Sequence, residues 1–226
     1  RQQQWMLGAG IGYGERAPAV SEAYGYYLFN SFDRFDYIGN PEMKKERSLE
    51  LNTVSSFTSK KFSIKAQADL FRISGYIIGK PNPGFSPMTI GANGVKVYEQ
   101  LSQAMVFNAS LSATCQLTKA FLLSGKTVYR AGRSGALRLP LIQPLSYGTT
   151  LQYQLKQFTA EASMEGALAQ TRYSPEFGET PAKAYTVFNI SASQQLNLHN
   201  HKLTIKAGIE NLLDKYYSTF ADWNRV

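Results

Sequence analysis

Apolar and polar residues alternate one by one along most of this chain. That period admits one kind of element, an extended strand whose two faces meet different surroundings. From Lys202 onward, Leu203, Ile205, Ala207 and Ile209 fall on one face and Thr204, Lys206, Gly208 and Glu210 on the other. From Lys61, Phe62, Ile64, Ala66, Ala68 and Leu70 oppose Ser63, Lys65, Gln67 and Asp69. Phe188, Ile190 and Ala192 oppose Val187, Asn189, Ser191 and Ser193, and Phe158, Ala160, Ala162 and Met164 oppose Thr159, Glu161, Ser163 and Glu165. Nine such stretches are expected, at about 2–13, 44–58, 61–77, 99–116, 119–131, 147–156, 158–172, 184–196 and 201–211. Composition agrees: aromatics make up 13% and charged residues only 18%, which suits an all-β chain.

The expected strands are long, against a mean of about 5–6 residues in soluble proteins. A strand that crosses a bilayer at a tilt needs about 9–11 residues in the apolar zone. Connections alternate as well. Short ones fall near Ser59–Lys60, Thr118, Lys156–Gln157 and 197–200, and long ones at about 14–43, 78–98, 132–146 and 173–183. Short turns at one end and long loops at the other characterise outer-membrane barrels, not soluble sandwiches. The expected fold is therefore an antiparallel up-and-down transmembrane β-barrel, present as an open, curved sheet. Nine antiparallel strands leave the first and last running the same way, so they cannot close an even-stranded barrel. The sequence ends at Asp222–Val226 like a loop entering a further strand. Both features suggest part of a larger barrel. No apolar run is long enough for a transmembrane helix.

Most recognisable motifs dissolve on inspection. Ala120–Thr127 lies one residue from a phosphate-binding loop, but the stretch alternates as a strand and no helix pattern follows. Gly8, Gly10, Gly12 and Gly14 have the wrong spacing for a dinucleotide loop and share one strand face, which implies a need for room there. His199 and His201 flank a turn without a third ligand, and five scattered methionines and two histidines make no copper or haem site. No nucleophile–base motif of a hydrolase is present, so no catalytic residue, metal or cofactor is expected. The net charge of +8 is scattered, without the basic helix or aromatic signature of a nucleic-acid binder. Asp33 and Asp36 offer two carboxylates, expected to lie in a solvated loop. That loop carries Tyr24, Tyr26, Tyr27, Phe29, Phe32, Phe35 and Tyr37 with Arg34. Such a cluster means either packing within the loop or contact with a ligand.

Gly14-Glu-Arg16-Ala-Pro18-Ala-Val-Ser21-Glu22 resembles the Phe-Arg-Ala-Pro-Ser-x-x-Glu segment of TonB-dependent outer-membrane receptors. Asn40-Pro-Glu-Met-Lys44-Lys-Glu46-Arg-Ser48-Leu-Glu50 resembles their Asn-Pro-x-Leu-Lys-Pro-Glu-x-Ser-x-x-x-Glu segment. Gly208-Ile-Glu-Asn211-Leu-Leu-Asp214-Lys-Tyr216-Tyr resembles the Gly-x-x-Asn-Leu-Phe-Asp-Lys-x-Tyr segment that precedes their last strand. The departures are Glu15 for Phe, Met43 for Leu, Lys45 for Pro and Leu213 for Phe.

The resemblance implies a barrel of about 22 strands around an N-terminal plug domain, of which residues 1–226 would be a back part without plug or last strand. It implies outer-membrane lipid around the barrel and a periplasmic TonB–ExbB–ExbD complex as the energy source. It implies uptake of a scarce extracellular ligand: a ferric siderophore or similar metal chelate, haem, cobalamin, a metal or a glycan. A passive pore or structural barrel is the alternative. On this reading Arg16, Tyr24, Tyr26, Tyr27, Phe29 and Arg34 are ligand-contact candidates. Lys65, Asp69, Glu161, Glu165, Lys206 and Glu210 are expected on the plug-facing side, and Phe62, Ile64, Leu111, Phe188, Ile190, Leu203, Ile205 and Ile209 on the lipid side.

Overall fold

The computed structural model describes residues 3–199 and 201–219. The expected strand entry at 222–226 lies outside them. Nine long strands form one antiparallel meander. They are β1 (Gln4–Arg16), β4 (Glu46–Thr58), β5 (Phe62–Pro81), β6 (Val95–Gln116), β7 (Phe121–Ser134), β9 (Ser146–Leu155), β10 (Phe158–Ala167), β11 (Tyr185–Leu198) and β12 (His201–Ile209). Each pairs with its neighbour along the chain, and β1 and β12 are the two free edges of the path. Three short strands complete the sheet: β2 (Leu28–Asn30), β3 (Phe35–Ile38) and β8 (Leu137–Arg138). A one-turn helix α1 (Val20–Tyr24) and a 3-10 turn (Pro175–Phe177) are the only helical elements among the described residues.

Register converts the sequence alternation into two continuous faces. Ile11 pairs with Leu51, Leu51 with Leu70, Leu70 with Phe107 and Phe107 with Ala131, so one apolar row crosses five strands. Further along, Leu151 pairs with Ala162, Ala162 with Ile190 and Ile190 with Ile209 on the same face. The opposite face carries the row Gly10, Asn52, Asp69, Asn108, Arg130, with Asn52 Nδ2 donating to Asp69 Oδ1 at 2.9 Å. A second polar row runs Ser56, Lys65, Ser112, Lys126, Gly148, Glu165. Ile64 and Lys65 thus face opposite ways, as the period-2 pattern requires. Glu161, Lys206 and Glu210 meet around one polar depression of about 390 Å³ beside β10 to β12.

Aromatic pairs mark the turn end of the apolar face. Trp5 packs on Phe57 at 4.8 Å between ring centroids, and Phe121 on Tyr153 at 4.9 Å. Toward the other end the same face carries Tyr13, Phe107, Tyr129 and Tyr147. Two aromatic girdles flanking an apolar band are the mark of a bilayer-spanning sheet. Gly166 has a specific reason to be glycine. The Tyr147 ring lies across it, and an added Cβ would stand 2.8 Å from the phenol oxygen and run into the Tyr185 carbonyl.

The long connections emerge at one end and the short turns at the other. Arg16 pairs with Glu46, Pro81 with Lys96 and Ala167 with Tyr185 at the loop end. Thr58 pairs with Ser63, Phe158 with Leu155 and Leu198 with His201 at the turn end. Two expectations need correction. β5 and β6 run beyond residues 77 and 99 because Ile77, Ile78 and Val95 are buried against the loops, which sustains the ladder to Pro81 and Val95. The 158–172 strand stops at Ala167, where Leu168 N turns to donate to Leu145 O at 2.9 Å. The 211–217 segment is a turn in which Asn211 and Asp214 both take positive φ, conformations that Asn and Asp tolerate best among non-glycine residues. Asn211 closes it by accepting from Lys215 N at 3.0 Å.

The two faces give a direct test. In the intact barrel folded into lipid vesicles, Leu111→Arg at mid-height of the apolar face is expected to cost about 2–4 kcal/mol of unfolding free energy. Gln67→Arg on the polar face is expected to cost less than about 1 kcal/mol. Equal costs in denaturant titrations would mean that the faces are assigned wrongly.

Candidate functional site: the loop cluster at one end of the sheet

The chain between β1 and β4 is a folded unit, not an open loop. Arg16, the last residue of β1, donates from Nε to Glu46 at 2.7 Å and from Nη1 to Glu22 at 2.7 Å. Glu22 also accepts from Ala19 N at 2.6 Å, which closes the first turn of α1, and Glu46 accepts from Ile77 N at 2.6 Å. Arg16 and Glu22 of the first family-like segment and Glu46 of the second therefore form one network that ties α1 to β1, β4 and β5. Desolvation works against the charged Glu22, but the bonds from Arg16 and Ala19 N outweigh it and hold its carboxyl below the usual range. The chain returns beneath α1 at Gly39, where an added Cβ would lie 2.7 Å from backbone atoms of Ala23 and Gly25. Gly39 N donates to Gly25 O at 2.7 Å and Asn40 N to Glu22 O at 2.9 Å.

The 28–38 segment is a hairpin, β2 paired with β3, where the sequence suggested plain loop. Asn30 makes its turn, accepting from Phe32 N at 3.0 Å through its side chain and from Arg34 N at 2.8 Å through its carbonyl. β3 then adds in parallel to β6. The two carboxylates expected in solvent are buried instead: Asp33 is 6% exposed and Asp36 0%. Asp33 Oδ2 accepts from Lys96 Nζ at 2.7 Å and from the Tyr37 hydroxyl at 2.6 Å. The Lys96 ammonium also sits 4.5 Å from the centroid of the Phe35 ring. Burial, and then the bond to Asp33, push the Tyr37 phenol well above its ordinary value.

Asp36 Oδ2 accepts from Met88 N at 2.8 Å and Thr89 N at 2.9 Å. Desolvation opposes its charge, yet the Thr89 and Met88 bonds prevail and depress its pKa. Asp36 thereby fastens the 82–94 loop to the hairpin, and Arg34 Nη2 adds a bond to Gly91 O at 3.1 Å. The 168–184 loop joins from the other side. Gly178, at φ +83°, lies against Phe35 and Lys96, with the buried Phe177 beside it. Glu179 accepts from Leu141 N at 2.5 Å and Ser174 N at 2.7 Å, drawing the 135–145 loop into the same cluster.

The aromatic cluster divides. Phe35 and Tyr37 turn inward onto Lys96, and Tyr37 meets Tyr98 at 5.1 Å between centroids. Tyr24, Tyr26 and Phe29 stay open, at 72%, 73% and 43% exposed, while the half-buried Tyr27 meets Tyr26 edge-on at 5.0 Å. Tyr27 and Arg34 both adopt positive φ, at 49° and 60°. Of the six loop candidates, Arg16 is engaged by two carboxylates and Arg34 by Gly91, and the four aromatics lie within residues 24–29. Lys96 and Gln100 have no sign in the sequence, and Asp36 shows there only as a loop carboxylate. Gln100 accepts from Lys44 N at 2.8 Å and donates to Lys44 O and Gly75 O at 2.5 and 3.0 Å. A lysine at the start of an amphipathic strand gives no sign of its burial, and its acidic partner Asp33 lies 63 residues away.

Residues 2–212 match the model of the TonB dependent receptor-like β-barrel. The chain belongs to that family. It is a family of receptors, not enzymes, and membership makes this sheet part of an outer-membrane β-barrel. No curated protein matches the chain in sequence. Among solved structures it is similar to the copper transporter OprC, with TM-score 0.80 and 21% identity over 96% of this chain and 32% of that one. The ferric enterobactin receptor PfeA from Pseudomonas aeruginosa gives TM-score 0.70 and 16% identity over 93% of this chain and 33% of that one. The FrpB iron transporter from Neisseria meningitidis gives 0.66 and 12% over 96% and 34%. The chain thus spans about a third of the length of the solved structures it matches.

Two predictions follow from the cluster. Lys96→Met leaves Asp33 buried without its counter-charge, a change that typically costs about 3–5 kcal/mol. Residues 28–38 and 82–94 of the intact receptor should then exchange amide hydrogens at least tenfold faster while the β9–β11 ladder stays protected. The second concerns acid. Glu22 and Asp36 have folded pKa values below their unfolded ones, so their contribution is complete above the ordinary carboxylate range and is lost as pH falls through the depressed values. Proteolysis of the 17–45 segment should therefore begin on acidification before the sheet's circular dichroism changes.

Proposed function

We propose that the parent protein takes up a scarce nutrient across a Gram-negative outer membrane, with energy delivered through TonB. The observation that carries this reading is the family match across residues 2–212. The expected ligand is a ferric siderophore or similar metal chelate. Structural relatives named as a ferric enterobactin receptor and an iron transporter support that class, as do the exposed aromatics Tyr24, Tyr26 and Phe29 of the same connection. Tyr24, Tyr26, Tyr27 and Phe29 would supply contact area and Arg34 a charge-assisted anchor for an anionic chelate. Arg16 would act from below, through its hold on Glu22 and α1.

The polar face would line the barrel interior against an N-terminal plug. Lys65, Asp69, Glu161, Glu165, Lys206 and Glu210 all lie on or beside that face, where a plug surface of mixed charge could pair with them. On β1, Gly10 and Gly14 leave the interior open, with no atom within 4 Å of where a Cβ would stand, whereas at Gly8 a Cβ would press on Val54 at 2.9 Å. TonB, with ExbB and ExbD, would act through a segment outside this chain.

Uptake of radiolabelled ferric chelates by cells carrying the full-length gene, with and without TonB, tests the proposal. Accumulation should occur only in the TonB-positive strain. Equal accumulation in both strains would point to a passive pore. In the same cells, alanine at Tyr26, Tyr27 and Arg34 together should weaken ligand binding by at least about tenfold. Unchanged affinity would move the ligand site to other loops.

A further inference from the structure

On the apolar face, the band of hydrocarbon side chains stops at a row of arginines. Leu70, Phe107 and Ala131 stand side by side across β5, β6 and β7. One step toward the loop end, the same face carries Arg72, Met105 and Arg133, and Arg133 pairs with Arg138 of β8. The β7–β9 ladder reaches only to Val128 and Ser146. Beyond it the two strands diverge and leave a groove of about 860 Å³. Leu70, Phe107 and Tyr129 line this groove together with Arg133, Arg138 and Arg172; Arg130 of the polar face reaches it as well but is held by Gln143 at 2.6 Å, and no Asp or Glu is among the lining residues. The side chains of Arg133, Arg138 and Arg172 make no hydrogen bond or ion pair with any described residue.

We propose that this groove is a binding site for a phosphorylated lipid of the surrounding leaflet. Its phosphate would lie between Arg133, Arg138 and Arg172, and an acyl chain would descend along Tyr129, Phe107 and Leu70. Guanidinium groups bind phosphate oxygens through paired, charge-assisted hydrogen bonds. Three unpaired cations close together repel one another, and an anion relieves that repulsion. The apolar lining singles out a lipid over a soluble ion, since a free phosphate gains nothing from Leu70 or Phe107. Position agrees, because the arginines follow the last apolar row where a headgroup meets a membrane-spanning wall. The inference rests on the membrane placement of the sheet and is independent of the transport reading.

The test uses the intact receptor in mild detergent, titrated by native mass spectrometry with a diphosphorylated glycolipid, its dephosphorylated counterpart and inorganic phosphate. The phosphorylated lipid should bind the wild type at one saturable site. The Arg133→Gln/Arg138→Gln/Arg172→Gln protein should bind it roughly a hundredfold more weakly, at roughly fivefold per arginine. The dephosphorylated lipid should bind both proteins equally weakly, and inorganic phosphate should not compete at matched concentration. Equal binding to both proteins, or full competition by phosphate alone, overturns the proposal. Should the triple variant not fold, Ala136→Glu puts a carboxylate into the groove while keeping every arginine, and unchanged affinity there overturns it as well. TonB-dependent uptake followed in parallel separates the two ideas: lost lipid binding with normal uptake supports the site, and lost uptake with normal lipid binding refutes it as the arginines' role.

Discussion

Hydrocarbon offers no partner to a backbone amide, and the whole architecture follows from that. Every N–H and C=O in the apolar zone must be paired within protein, and the nine-strand ladder does this with neighbours that follow one another in the chain. Once the backbone is settled, the side chains are free to differ on the two faces. One face becomes a band of Leu, Ile, Ala and Phe between aromatic girdles, and the other a field of Ser, Asn, Lys and Glu. Neither face could be exchanged for the other by a one-residue slip without burying Lys65 and Asp69 in lipid, so the register is fixed by the membrane itself. The same constraint acts on β1 and β12, whose outer edges need further strands before the sheet can stand in a bilayer.

At the loop end the solvent changes, and so do the means of holding the chain. Four connections meet there and are joined by charged hydrogen bonds instead of a ladder. Arg16, Glu22 and Glu46 fasten α1, and the buried Lys96–Asp33 pair with Tyr37 fastens the hairpin. Asp36 receives the backbone of Met88 and Thr89. A buried ion pair contributes little net stability over an apolar substitute, because desolvation offsets most of the attraction. Its effect is to permit one arrangement: any other position of the hairpin leaves Lys96 or Asp33 uncompensated. That rigidity presents Tyr24, Tyr26 and Phe29 to solvent on a fixed base, although aromatic side chains of a long loop would otherwise collapse together.

The sheet was legible in the sequence because period-2 alternation is a local signal. Ile64 and Lys65 declare their faces without reference to any partner. The alternation of short and long connections marks the two ends, and the family-like segments mark the kind of barrel. What stayed hidden was set by distant contacts. Asp33 and Asp36 read as solvated loop residues, since an acidic pair among turn-forming neighbours usually is one. Their burial depends on Lys96 and on the amides of residues 88 and 89, which no local pattern links to them. The β2–β3 hairpin had a visible sign in Asn30, a residue suited to a tight turn, but its docking in parallel on β6 had none. β5 and β6 outran their expected ends for the same reason, since Ile78 and Val95 become core only once the loops fold over them.

Charge shows the gap between sequence and fold most plainly. The excess of basic residues looks dispersed along the chain, with Arg72, Arg133, Arg138 and Arg172 far apart and in different elements. In an antiparallel ladder the two numbers of every pair sum to the same value, so residues separated by tens of positions become neighbours. Arg72 meets Met105, Met105 meets Arg133, and Arg133 meets Arg138. Three of these four residues are cations, on a face otherwise given to hydrocarbon. Repulsion among them would disfavour this register if they faced an apolar medium, and the apolar row below would gain nothing from their presence. The row is stable where an anion-bearing surface begins, at the height where the aromatic girdle of Tyr129 and Phe107 ends. The pattern on the outer wall thus records two boundaries of the membrane, hydrocarbon below and headgroup above, in adjacent rows of one sheet.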